Sequence, residues 1–312
     1  MSLFIKENRL IKLPKNKNIM FKDWSHYLFI LPGILFLLVF MIYPIGYNLY
    51  LSFQNVTIMN LTGEHVFVGL SNYRTIFEDE IFFKSLVNSV IFTVLCIIFQ
   101  FTIGFALAIF FNRQFPGRNI FRSLMLIAWM LPMVITGTLY SWLFAGDHGL
   151  INYFLLLLGI IDQPVYWLSE SSTALFSVII ANIWVGVPFN MIILLAGLQG
   201  VPDELYEAAK IDGASRYRQL VHITIPLLKP TILILLILGI IYTFRVFDLI
   251  FIMTGGGPSH ASTVLPFYAY ELAFIKYDFS LGATVGSIMF VLLVIVSFIY
   301  LFMVRREENT NS

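Results

Sequence analysis

The feature that most constrains this chain is a set of six long apolar runs, near Tyr27–Phe53, Leu86–Phe111, Ile120–Phe144, Thr173–Leu198, Thr231–Thr254 and Ala283–Val304. Each reaches the roughly 20 residues an α-helix needs to cross a hydrocarbon core about 30 Å thick. In that medium every backbone N–H and C=O must be satisfied within the segment, so the runs predict helices. Pro32, Pro44, Pro132 and Pro188 fall inside them, which membrane helices tolerate where neighbours re-satisfy the freed groups. A soluble chain would need a charged surface, with about 25% charged residues. Here 12% are charged and 59% are apolar, with a mean hydropathy of +0.85. The expected fold class is an all-α integral membrane protein with six transmembrane helices.

The basic residues orient the runs. Of the 19 Lys and Arg, fifteen lie on one set of segments: the N-terminus (Lys6 to Lys22), Arg113, Arg118, Arg122, Lys210, Arg216, Arg218, Lys229, Arg305 and Arg306. The opposite connections hold Arg74, Lys84 and Lys276, and Arg245 lies within a run. The positive side is cytoplasmic, so both termini are expected in the cytoplasm. The first run follows a basic segment as a signal peptide would, but it is too long and no small-residue cleavage site follows. It reads as an uncleaved first helix. A net charge of +1 argues against a nucleic-acid partner. Cys96 is the one cysteine and sits in an apolar run, and the five histidines are scattered, so no disulfide or metal site is implied.

Domain boundaries follow: a cytoplasmic segment 1–23, a six-helix domain 24–304 and a short polar cytoplasmic tail 305–312. The outer loops Gln54–Phe83 and Gly255–Asp278 are long enough to form small caps. The unusual part is the cytoplasmic connection 199–229, much longer than a helix–helix turn needs. Pro202, Asp203 and Glu204 start a helix, since proline suits its first turn and acids complement its positive end. Leu205, Ala208, Ala209 and Ile211 form an apolar stripe beside Glu207, Lys210 and Asp212, and Gly213 ends the helix in the left-handed conformation. Ser215 caps a second short helix to about Thr224, and Pro226 is expected to stop it. As a solvated loop these stripes would stay wet; docking against a cytoplasmic partner would cover them.

At this point the residues resemble a known family. EAAKIDGASRYRQLVHITIPLLKP, Glu207 to Pro230, resembles the cytoplasmic signature of permease subunits in binding-protein-dependent ABC importers, with Ile225 where leucine is more frequent. VGLSNY (Val68–Tyr73), the segment WVGVPFNMIILLAGLQGVPDELYEAAKIDGA and FDLIFIMTGGGP (Phe247–Pro258) resemble further motifs of its carbohydrate-uptake branch, in order along the chain. The resemblance implies the ABC importer permease fold, in the cytoplasmic (inner) membrane of a prokaryote. It implies a second permease subunit, ATPase subunits below, an extracytoplasmic substrate-binding protein and a sugar substrate. The chain would carry no cofactor of its own, with ATP and Mg bound by the partner ATPase. Consistently, no G-x-x-x-x-G-K-[ST] loop is present, and Gly255-Gly256-Gly257 reads as a flexible outer turn. By resemblance Glu207, Ala208, Ala209, Asp212 and Gly213 form the coupling element. Glu207 would pair with a basic group of the ATPase, the alanines would allow close approach, and Gly213 would permit the bend.

Polar groups inside spans usually face a cavity or a partner. The fourth run offers Asn182, Trp184 and Asn190, and the fifth Tyr242, Thr243, Arg245 and Asp248. The resemblance places Asn182, Val185, Gly186 and Phe189 facing Tyr242, Thr243 and Val246 along a substrate path; the alternative for Asn and Thr is helix–helix adhesion. Arg245 and Asp248, three apart, are expected to pair with each other. Gly282 and Gly286 form a small-residue packing face. With Arg245 the only basic residue near the path, a neutral or oligomeric sugar is favoured. A self-sufficient secondary carrier is disfavoured by the lack of an inverted repeat. An intramembrane enzyme would need paired carboxylates or an H-E-x-x-H motif, and neither occurs.

Overall fold

The computed structural model describes residues 24–311, with side chains from 28 to 305; the expected cytoplasmic segment 1–23 lies outside the described residues. The chain divides into two compact units, Met1–Asn48 and Leu49–Ser312. In the first, α1 (Trp24–Leu37) passes through a π turn, Leu38–Ile42, into α2 (Tyr43–Ser52).

The second unit continues from the end of α2 through a two-residue hairpin, β1 (Gln54–Asn55) and β2 (Val66–Phe67), antiparallel with Gln54 opposite Phe67. Then follow α3 (Ser71–Phe77), α4 (Glu80–Asn112), α5 (Arg118–Met130), α6 (Met133–Leu143), α7 (Leu150–Leu157), α8 (Ala174–Gln199), α9 (Asp203–Ile211) and α10 (Arg216–Gln219). A π turn, Leu220–Thr224, leads into α11 (Ile225–Phe244), followed by α12 (Asp248–Met253) and α13 (Leu265–Tyr270). A third π turn, Glu271–Ile275, precedes the last helix, α14 (Phe279–Asn311). Five helical runs are long and apolar enough to span a membrane among the described residues, and a bent pair makes a sixth if it is one span.

Proline decides three of these boundaries. The run expected as one helix over Ile120–Phe144 is instead broken: α5 and α6 are bent by 94°. Leu131 (ψ 136°) and Pro132 (ψ 138°) are extended, because proline disfavours the helical conformation of the residue before it and brings no N–H to the ladder. Pro226 does the opposite of what its position suggested. The helix does not stop there but runs through it, so the fifth run begins at Arg216 rather than at Thr231. The π turn resolves the conflict: Ile225 N–H donates to Leu220 O, five residues back. The wider turn moves the ladder away from the ring that would clash with it. The same device precedes Pro44, where Tyr43 N–H donates to Leu38 O.

Lipid supplies no hydrophobic drive between helices, so shape and hydrogen bonds hold α4 to α8. Small residues let the two approach. A Cβ on Gly104 would come within 2.6 Å of Asn190 Cβ, and one on Gly186 would overlap the Gln100 amide. The core is built around this crossing, with Phe92, Cys96, Val178 and Ile179 toward one end and Ala108, Met191, Leu194 and Leu228 toward the other.

The loops at one end of the unit fold onto the helix ends. Asn72 Nδ2 donates to Ser52 O (2.9 Å) and Gln54 O (2.7 Å), and Tyr73 pairs with Ser52 Oγ at 2.8 Å. Val56 N–H donates to Ser280 Oγ at 2.6 Å. Lys84 and Asn88 of α4 donate to the carbonyls of Ser259, His260, Ala261 and Thr263. Gly255 and Gly256 take φ of 58° and 77°, and Gly256 O accepts from Thr263 Oγ1 at 2.9 Å. The triglycine segment is thus a hydrogen-bonded turn, with Gly256 buried, where a flexible one was expected.

Candidate functional site

The buried face of α8 carries Asn182, Val185, Gly186, Phe189 and Asn190, at the three- and four-residue spacing that puts side chains on one stripe. This stripe meets Gly239, Tyr242 and Thr243 of α11, together with Val246 just past its end, around a cavity of about 400 Å³. All seven residues placed along the path from the sequence line this one cavity. Gln100 of α4, Trp129 of α5 and Met133 of α6 complete its wall. Trp129 stacks on Phe189 with ring centroids 5.5 Å apart.

The lining is amide, hydroxyl, aromatic and aliphatic, with no charged side chain. Asn182 is 4% exposed, and its backbone carbonyl accepts from Gln100 Nε2 at 2.9 Å. Asn190 Nδ2 donates to Gly186 O at 2.9 Å. The Asn182 backbone thus joins α8 to α4, and the Asn190 side chain braces α8 itself. Each free amide group can hydrogen-bond a hydroxyl, and the aromatic rings can cover the apolar face of a sugar ring.

The expected pair of Arg245 and Asp248 does not form. Among the described residues neither is in an ion pair, because α11 ends between them. Arg245 closes α11 with φ −95° and ψ 4°, and Asp248 opens α12. The interruption destroys the i, i+3 relationship on which the pairing depended. Each charge instead sits where the dipole of its own helix end favours its sign. Neither lines the cavity, and both are exposed.

The second candidate element is the connection between α8 and α11. Helix α9 starts after Pro202 with Asp203 and Glu204 in its first turn, and Gly213 follows it with φ 73°. Ala214 N–H closes back on Ala209 O at 2.8 Å, a pattern that satisfies carbonyls left over at a helix end. Ser215 Oγ caps α10 through Arg218 N–H at 3.4 Å. No residue of α9 is buried, and Ile211 is 87% exposed. Glu207, Ala208, Ala209, Asp212 and Gly213 thus share one short exposed segment.

Gln100, Trp129, Met133 and Gly239 were not anticipated in the lining. A signal for Gln100 existed: Ser85, Ser89, Phe92, Cys96, Gln100, Gly104 and Ala108 recur every three or four residues along α4 as one buried stripe, and an amide within a span is costly unless it faces a partner. Trp129 and Met133 flank the break at Pro132 and could not be placed without it.

Residues 100–309 match the family described as binding-protein-dependent transport system inner membrane component. The trehalose/maltose transport system permease protein MalF of Thermococcus litoralis is 37% identical over 279 residues, covering 88% of this chain and 92% of that protein. A crystal structure of a bacterial ABC transporter involved in the import of the acidic polysaccharide alginate contains a chain that is similar with a TM-score of 0.79 and 25% identity, over 92% of this chain and 97% of that one. The same holds, with a TM-score of 0.78, 25% identity, and 92% and 96% covered, for the alginate transporter in complex with an alginate pentasaccharide-bound periplasmic protein.

Proposed function

The chain belongs to the family of binding-protein-dependent transport system inner membrane components, and on that footing we propose that it is the pore-forming permease subunit of an ATP-driven sugar or oligosaccharide importer. It works in the cytoplasmic membrane of a prokaryote, with six crossings and both termini inside, as the distribution of Lys and Arg supports. The relatives named for trehalose, maltose and alginate support a carbohydrate substrate. The uncharged amide and aromatic lining supports a neutral one.

The observation that carries the reading is the pairing of one cavity, lined jointly by α8 and α11, with an amphipathic helix, none of whose residues is buried, on the connection between those same two helices. A ligand that closes on α9 moves the two walls of the cavity together. The ligand is a separate ATPase, which holds ATP and Mg and presents a cleft to Leu205, Ile211 and the small Ala208 and Ala209. Glu207 pairs with a base there; such a pair contributes more to register than to affinity. A second permease subunit completes the pore, and an extracytoplasmic binding protein delivers the sugar. Substrate is exposed to one side at a time as the ATPase opens and closes.

The test is mild detergent extraction followed by co-purification, then reconstitution in vesicles with the binding protein. An ATPase and a second permease should accompany the chain, and uptake should require ATP. Uptake by the chain alone, without ATP, would refute the assignment.

A further inference from the structure

Gln100 is the one residue of α4 in the cavity wall, and it is 5% exposed. One N–H of its amide donates to the Asn182 carbonyl at 2.9 Å. The amide fills the notch left by the missing side chain of Gly186, where an added Cβ would overlap its carbon, nitrogen and oxygen. Among the described residues the Gln100 amide forms no other hydrogen bond. Its carbonyl oxygen and second N–H are therefore unspent in the cavity that it lines. Asn190 spends one N–H in the same way, but on Gly186 O of its own helix, whereas Gln100 reaches from α4 to α8. Opposed to these amides stand the rings of Phe189, Trp129 and Tyr242.

Resting on the sugar-import reading, we propose that Gln100 is the specificity-determining contact of this cavity, an amide clamped by Asn182 O and Gly186 that reads one hydroxyl of a neutral sugar ring in transit. An amide already held in place loses little freedom when it bonds a ligand. A site built to hydrogen-bond a hydroxyl also rejects an analogue lacking it far more strongly than an apolar wall can.

The experiment uses the whole complex in vesicles with its binding protein, first offered maltose, trehalose and alginate oligosaccharides. A transported sugar is then compared with its monodeoxy analogues in wild type, Gln100→Leu and Gly186→Ala. The binding protein is common to all three, so its own preference cancels between them. For one analogue the ratio of parent to deoxy uptake should fall roughly tenfold in Gln100→Leu. Gly186→Ala, which pushes the amide aside, should lower the same ratio. Should Gln100→Leu fail to assemble, the unbranched Gln100→Met gives the same comparison. Ratios unchanged for every analogue in the assembled variants would overturn the role of Gln100 while leaving import intact. No uptake of any offered sugar by wild type would overturn the sugar reading itself, and this proposal with it.

Discussion

The Tyr206 hydroxyl and Thr224 Oγ1 lie 2.9 Å apart, and this contact ties α9 to the π turn from which α11 enters the membrane. Both partners sit on the lever proposed to couple ATP to transport. Tyr206→Phe removes a hydrogen bond of about 1 kcal/mol and should leave the fold and ATPase binding intact. The expected outcome is a lower number of sugars imported per ATP hydrolysed, measured in vesicles. Unchanged stoichiometry would place the lever elsewhere.

Gly213 has open space where a side chain would project, so its φ of 73° is the whole constraint. Gly213→Asp adds a residue at a conformation that costs other L-residues about 1–2 kcal/mol, less for Asp, and puts a second acid beside Asp212. The variant should remain in the membrane and keep its detergent melting temperature within a few degrees, yet lose ATP-driven uptake. Wild-type uptake in Gly213→Asp would contradict the docking assignment of α9.

Gly104 is a different kind of glycine. Its added Cβ would meet Asn190 Cβ and, at 3.1 Å, the Met191 backbone nitrogen, which no rotamer change relieves. Gly104→Val should force α4 off α8 at a cost of about 1–3 kcal/mol, read as a lower melting temperature and reduced yield of assembled complex. Gly239→Ala, whose Cβ would find only Ile97 at 3.7 Å, should be close to neutral in the same assay.

Arg245 and Asp248 should behave independently. In a double-mutant cycle with Arg245→Gln and Asp248→Asn, the two effects on thermal stability should add to within about 0.5 kcal/mol, as for residues without a shared contact. A coupling energy of 1 kcal/mol or more would restore the pair that the helix break separates.

Tyr268 donates to the Asp79 carboxylate, whose other oxygen caps α4 through Ile81 N–H. Burial first, and then the hydrogen bond and charge of Asp79, push the Tyr268 pKa up. A group raised above its unfolded value contributes stability that is complete below that value, about 10 for tyrosine, and fades as pH rises past it. Wild type should therefore lose melting temperature above about pH 10 more steeply than Tyr268→Phe, while the variant is the less stable of the two at pH 8. Parallel curves above pH 10 would show that Tyr268 is not the responsible group.

The cap and the coupling segment differ in how far residues announced them. Ser215 as a cap, Pro202 as a start and Gly213 as a left-handed end rest on interactions within four residues, and each is found where its chemistry put it. The prolines were legible only in part. The same residue type breaks the helix at Pro132 and is carried through at Pro44 and Pro226, and the difference is the π turn that precedes the latter two. Arg245 and Asp248 failed for a related reason: their pairing presumed a continuous helix, and α11 stops between them.

Membrane class was determined by the sequence alone, because in lipid each backbone must satisfy itself and a long apolar run has one way to do so. The stripe on α8 was named from the family resemblance of the sequence, and its three- and four-residue spacing is what puts it on one face. Tertiary structure alone decided that Gln100 fills the hollow at Gly186, that Trp129 closes the wall from beyond a 94° bend, and that Arg245 and Asp248 stand apart. Those outcomes depend on where distant helices cross. In a solvent with no hydrophobic drive between them, that crossing is set by the fit of a few small residues and amides rather than by any periodicity along the chain.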